Sequence, residues 1–251
     1  MNERTQRLKA RSLEARPWIS SERALLVTEF YRDRNDPLLS APVRRALAFR
    51  EIMTRKALYL GPGELIVGER GPEPKATPTF PELTCHSLED LDILNDREKI
   101  PFRVSEETRE IYRRTIIPFW KGKSLRDRVF EEMRPEWRAC YEAGIFTEFM
   151  EQRAPGHTVL DDKIYRKGFA DFRGDIARRL AEIDPLEDRD ALKKGQQLRG
   201  MDIAAEALVI FSGRYADLAA EKSAAETDVR RKAELLRIAE ICRRVPLHPP
   251  R

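Results

Sequence analysis

Histidine and cysteine are scarce in this chain, with three of each among 251 residues. Cys85, Cys140 and Cys242 lie far apart, no Cys-x-x-Cys pair occurs, and His86, His157 and His248 share no ligand spacing. A zinc site of the usual spacing is thereby excluded, and a disulfide framework is not expected. No stretch approaches about 18 consecutive apolar residues, so no membrane-spanning helix is expected. The first twenty residues are charged throughout and have no apolar centre, so no secretory leader is expected and the cytoplasm is the expected location. There is no phosphate-binding P-loop, no Gly-x-Gly-x-x-Gly, no His-Glu-x-x-His and no Gly-x-Ser-x-Gly.

Charge is what the chain has in abundance. Asp, Glu, Lys and Arg make up 36% of it, and 47 basic against 43 acidic residues leave a net charge of +4. The two signs are interleaved, and Lys193-Lys194 and Arg230-Arg231-Lys232 are short runs flanked by acids. They read as solvated helix faces, and no nucleic-acid partner is expected. Hydrophobic residues make up 41%, too much for a disordered chain. A chain of this length buries roughly 70–75% of its unfolded surface without a covalent staple.

The hydrophobic pattern is mainly helical. An amphipathic run opens at Ser20-Ser21-Glu22 and carries Ala24, Leu26, Val27, Phe30 and Tyr31 at helical spacing, with a serine available to cap it. Pro42 suits the first turn of a second helix with a stripe from Val43 to Met53. Helices are also expected from Ser87, from Ser105 to Ile116 with Pro118 as the stop, from Ser124 to Glu132, from Asp161 to Leu180, from Met201 to Ala220 and from Asp228 to Arg243. One short strand is expected near Leu65 to Gly68, bounded by glycines. Residues 71–81, with four prolines, are expected to be irregular. The fold class is mainly α with a few short strands, in one unit spanning residues 1–251. The last two helices are expected to leave apolar surface exposed, around Leu208, Phe211, Leu235 and Leu236.

Among the histidines, His248 sits in a Pro-rich tail and reads as solvated. His86 beside Cys85 cannot close a tetrahedral metal site by itself. His157 follows the Pro155-Gly156 turn at the end of a stretch from Phe146 that mixes aromatic, acidic, amide and basic groups. Apolar walls with a few convergent polar groups suit a small-molecule pocket, and a buried structural turn suits the same residues.

Four segments carry a resemblance: Gly63-Glu64-Leu65-Ile66-Val67-Gly68-Glu69, Pro78-Thr79-Phe80-Pro81-Glu82, Ile117-Pro118-Phe119-Trp120-Lys121, and the run from Glu148 to Val159. In this order and spacing they resemble the N-terminal third of glycyl radical enzymes of the pyruvate formate-lyase superfamily. The likeness is strongest to the branch of trans-4-hydroxy-L-proline and glycerol dehydratases. It implies the N-terminal helical portion of a ten-stranded α/β barrel. By the same resemblance Phe149 is an aromatic substrate contact, and His157 a polar contact to the substrate's hydroxyl or carboxylate side.

The family's cysteine loop and its Arg-Val-x-Gly-Tyr glycine motif have no counterpart in these 251 residues. The resemblance therefore implies no catalytic residue, no metal and no bound cofactor in this chain, and no turnover by it alone. The complete enzyme would need a glycyl radical installed by a radical SAM activating enzyme. It would eliminate water from a small hydroxylated substrate, and its other implied partners are a downstream chain bearing the two loops and further copies of itself. A free-standing helical interaction module derived from such an enzyme is the alternative.

Overall fold

The computed structural model describes residues 2–34, 36–146 and 162–250. Among them the architecture is mainly helical. Helix α1 (Glu3–Glu14) precedes strand β1 (Trp18–Ser20), and α2 (Glu22–Asp33) and α3 (Ala41–Arg55) follow. After β2 (Ala76–Pro78) come α4 (Leu88–Asp96), α5 (Glu106–Ile111), α6 (Ile117–Trp120), α7 (Leu125–Glu132) and α8 (Pro135–Glu142). The C-terminal part holds α9 (Lys163–Arg166), α10 (Phe169–Ala181), α11 (Ala191–Ala225) and α12 (Val229–Arg244).

Local chemistry starts several of these helices where the sequence places them. Ser87 and Ser124 each accept from the backbone of an aspartate three residues on, Asp90 and Asp127, whose carboxylates accept from the serine's own N–H in return. Such reciprocal capping satisfies two amides that the helix leaves free. At α2 the outcome differs. Ser21 makes no side-chain cap, and Glu22 instead reaches across to accept from the Ala57 N–H at 2.6 Å.

The strand expected at Leu65 to Gly68 does not form. The segment has no pairing partner, and Ile66 is exposed while Val67 packs against α11 and α12. The pairing goes to β1 and β2, which run parallel with Trp18 opposite Ala76, Ile19 opposite Thr77 and Ser20 opposite Pro78. Residues 71–81 are accordingly irregular only outside β2.

Pro118 does not end its helix either. Between α5 and α6 the backbone widens into a π turn over Tyr112–Ile116, and the Ile117 N–H reaches back five residues to the Tyr112 carbonyl. A proline ring collides with the carbonyl four residues before it, here that of Arg114, and widening the turn relieves the collision. The chain can then continue to Trp120, which is buried.

Two clusters of buried residues form the core. The first gathers Ile19, Leu26, Val27, Ile52, Leu91, Tyr112, Ile116 and Trp120 from the N-terminal half. The second joins Leu60 to Tyr215, Ala216 and Ala219 of α11 and Leu235, Ile238 and Ala239 of α12. Helix α11 starts ten residues before the expected Met201, and its 35 residues span about 52 Å. It packs on α3, α10 and α12. Leu235 is buried in that packing, whereas Leu236 and Ile241 remain exposed. No helix among the described residues is long and apolar enough to cross a membrane.

The helix expected over Asp161 to Leu180 is broken at Lys167-Gly168. A Cβ on Gly168 would lie 2.0 Å from the Leu247 carbonyl oxygen, because the backbone after α12 passes directly over the start of α10. The Phe169 and Ala170 amides donate to the Pro246 and Leu247 carbonyls at 2.8 and 3.1 Å. Gly168→Ala should therefore push the C-terminal segment off α10 and cost about 1–3 kcal/mol, read by urea denaturation. Unaltered stability would show that the segment yields freely.

Candidate functional site

A cavity of about 570 Å³ lies between α2, α3, the Gly68–Gly71 turn and the segment from Pro78 to Leu83, with Phe211 of α11 at its edge. Two segments singled out in the sequence, Gly63–Glu69 and Pro78–Glu82, thus meet in one place. A third stands directly behind it. Trp120 donates its Nε1–H to Thr28 Oγ1 at 2.8 Å, and its ring meets edge-on that of Tyr31, a wall of the cavity, at 5.6 Å. The fourth, Glu148 to Val159 with Phe149 and His157, lies outside the described residues.

Arg23 is the most highly connected polar group in the cavity. It forms a two-pronged ion pair with Glu82, donates from Nη1 to the Thr79 carbonyl at 3.1 Å, and stacks its guanidinium 3.9 Å from the Phe80 ring centre. This fork-to-fork geometry fixes the segment after β2 against α2. Opposite it, Lys56 ends α3 and donates to the Glu69 and Arg70 carbonyls at 3.1 and 2.9 Å. Burial pulls the Lys56 ammonium below its usual range, and the nearby Glu22 and Glu69 partly offset that. Arg214 of α11 adds two bonds of 2.8 Å, to the Met53 and Lys56 carbonyls, completing the C-terminus of α3. Burial raises the Tyr31 hydroxyl, with Arg44 opposing.

These groups are committed to positioning. Phe49, Ile52, Met53 and Phe80 line the space with apolar surface, Arg23 and Glu82 hold one another, and Lys56 holds backbone carbonyls. Such walls shape a pocket and exclude water. Sequence reasoning placed Tyr31 on the apolar stripe of α2 without marking it as a cavity wall, and it missed Arg23 and Lys56, which read as ordinary helix surface. Glu82 is marked in the sequence only as the end of the Pro78–Glu82 segment.

Of the remaining residues, His248 is exposed beyond α12 and Cys242 is buried on the packed face of α12. No three His, Cys, Asp or Glu side chains among the described residues group as metal ligands. The Cys85 thiol is pushed up to about 11 by burial, then by Asp127 and Asp90. Since the thiolate is the reactive form, Cys85 should react with Ellman's reagent at pH 8 about 100-fold more slowly than an unperturbed thiol. The folded state keeps this proton longer, so stability is unaffected below the ordinary thiol value of 9.0 and falls as pH rises from there to about 11. Rapid labelling of Cys85 at pH 8 would contradict this placement.

The pyruvate formate lyase-like family model matches residues 1–251, the whole chain. The chain belongs to that family. Trans-4-hydroxy-L-proline dehydratase of Clostridioides difficile is 50% identical over 248 residues, which are 99% of this chain and 31% of that protein. The solved structure of the Clostridioides difficile hydroxyproline dehydratase with trans-4-hydroxy-L-proline bound superposes with a TM-score of 0.94 at 50% identity, covering 100% of this chain and 32% of that one. The glycerol-bound B12-independent glycerol dehydratase from Clostridium butyricum follows with a TM-score of 0.90 and 31% identity, covering 100% and 32%. The chain thus spans about a third of the length of the relatives it matches. Its mainly helical fold is the family's architecture over that third, as the resemblance implied.

Proposed function

We propose that this chain is the N-terminal third of a glycyl radical dehydratase acting on a small hydroxylated substrate, with trans-4-hydroxy-L-proline the favoured one. The observation that carries the reading is the 50% identity over 99% of the chain to the Clostridioides difficile dehydratase, against 31% to the glycerol dehydratase. An interaction module freed from the chemistry would have little reason to keep half of its residues identical along the full length.

In the complete enzyme a glycyl radical, installed by a radical SAM activating enzyme, supplies hydrogen-atom abstraction from the substrate. This chain's part is to bind, orient and exclude water. His157 holds the substrate's hydroxyl or carboxylate side through an imidazole hydrogen bond, and Phe149 forms an apolar wall that keeps water from the reacting carbon. Arg23, Glu82 and Lys56 fix the segments around the 570 Å³ cavity. The remaining two thirds of the enzyme, the activating enzyme and a second copy of the complete enzyme are the proposed partners.

The test is His157→Ala in a chimaera in which this chain replaces the matching third of the Clostridioides difficile dehydratase. It should lower kcat/KM for trans-4-hydroxy-L-proline at least about tenfold, equivalent to roughly 1.4 kcal/mol, while the glycyl radical signal in electron paramagnetic resonance stays intact. Unchanged kinetics with the radical present would make His157 a residue of the turn alone.

A further inference from the structure

A separate cavity of about 400 Å³ opens between α1, the turn at Pro62-Gly63 and the start of α12. Five arginines line it, Arg4, Arg7 and Arg11 from α1 and Arg230 and Arg231 from α12, against two acids, Asp228 and Glu234. Folding therefore gathers an excess of three positive charges in one recess. Neither helix shows this alone, since α12 interleaves its arginines with acids and α1 supplies only three of the five.

The two acids are already used. The Asp228 carboxylate accepts from the Arg231 amide at 2.7 Å as the cap of α12. Glu234 is shared by three guanidinium groups, paired with Arg4, 3.2 Å from Arg231 Nη1 and 3.6 Å from Arg230 Nε. One carboxylate cannot neutralise three arginines.

Two of the arginines are also held in place, Arg231 half-buried and Arg11 exposed. Arg11 donates from Nη1 to the Pro62 carbonyl at 2.9 Å and from Nη2 to the Tyr59 hydroxyl at 3.0 Å, and Arg231 donates to the Glu64 carbonyl at 2.8 Å. The Arg231 side chain is only 14% exposed, whereas those of Arg7 and Arg230 are 72% and 85% exposed at the rim. A guanidinium carries five N–H donors, so anchored arginines retain donors for an anion and lose little freedom in binding one. Planar forks of this kind match tetrahedral oxyanions.

We propose that the recess between α1 and α12 is a binding site for a phosphate dianion, free or as a phosphomonoester. Arg4 and Arg231 form its floor, Arg11 is anchored at its edge, and Arg7 and Arg230 reach the ligand from the rim. The site bridges two helices, so its ligand also secures α1, which buries no side chain of its own.

Isothermal titration calorimetry of the 251-residue chain tests this, with inorganic phosphate and methyl phosphate as separate titrants at ionic strength held constant with chloride. Saturable binding is expected. It should weaken at least tenfold in the Arg7→Gln/Arg230→Gln double variant, whose melting temperature without phosphate should match that of the parent because both residues are exposed. Methyl phosphate binding at least as tightly as phosphate assigns an ester ligand, and binding of inorganic phosphate alone assigns the free ion. No saturable heat from either titrant beyond a chloride control, or affinity unchanged in the double variant, would overturn the proposal.

Discussion

Trp120→Ala should destabilise the chain by about 3–5 kcal/mol, the range for emptying a large buried aromatic site. Trp120 is 6% exposed and sits in the first core cluster with Ile116, Tyr112 and Val27. Its ring meets Tyr31 and Phe119 edge-on at 5.6 and 5.1 Å, contacts that add to the area it buries. Its indole N–H donates to Thr28 Oγ1, which itself donates to the Ala24 carbonyl at 2.6 Å. Alanine would leave a void beneath α2 and remove the support behind Tyr31. Trp120→Phe keeps most of the apolar contact and loses the hydrogen bond, so it should cost less, about 1–2 kcal/mol. Urea denaturation measures both. An alanine variant within about 1 kcal/mol of the parent would mean that the cluster collapses around the void instead of retaining it.

What could be read from the sequence follows the range of the forces involved. The starts of α4 and α7 were legible because a serine cap and an aspartate three residues on decide them locally. The strand pair was not. Leu65 to Gly68 has strand composition, but a strand exists only by pairing, and the pairing between Trp18–Ser20 and Ala76–Pro78 is fixed by distant packing. Pro118 was read as a stop because a proline excludes an α turn, and the π turn that accommodates it depends on burying Tyr112, Ile116 and Trp120 together. Helix α1, with no buried residue, left no apolar stripe to find.

The candidate site divides in the same way. Its backbone segments, Gly63–Glu69 and Pro78–Glu82, stood out as motifs, and folding brings both to one cavity. The side chains that lock them there did not stand out. Arg23 and Lys56 look like any charged helix residue until Glu82, Phe80 and the carbonyls of Glu69 and Arg70 are placed around them. Long-range charge pairing has no signature in a linear sequence.

The largest effect expected is on turnover itself. By itself the 251-residue chain should release no product from trans-4-hydroxy-L-proline, since the elements that generate and hold the radical have no counterpart in it. Placed in the Clostridioides difficile dehydratase in exchange for the matching third, it should support turnover within about tenfold of the parent enzyme, a difference of no more than roughly 1.4 kcal/mol in transition-state binding. The basis is that half of its residues are identical and its backbone superposes with a TM-score of 0.94. Glycerol, offered to the same chimaera, should be a far poorer substrate. The decisive measurement is therefore the rate of product formation from trans-4-hydroxy-L-proline by the activated chimaera, normalised to its glycyl radical content. A rate near that of the parent enzyme is the predicted result, and a soluble, radical-bearing chimaera that leaves trans-4-hydroxy-L-proline unchanged would contradict the account.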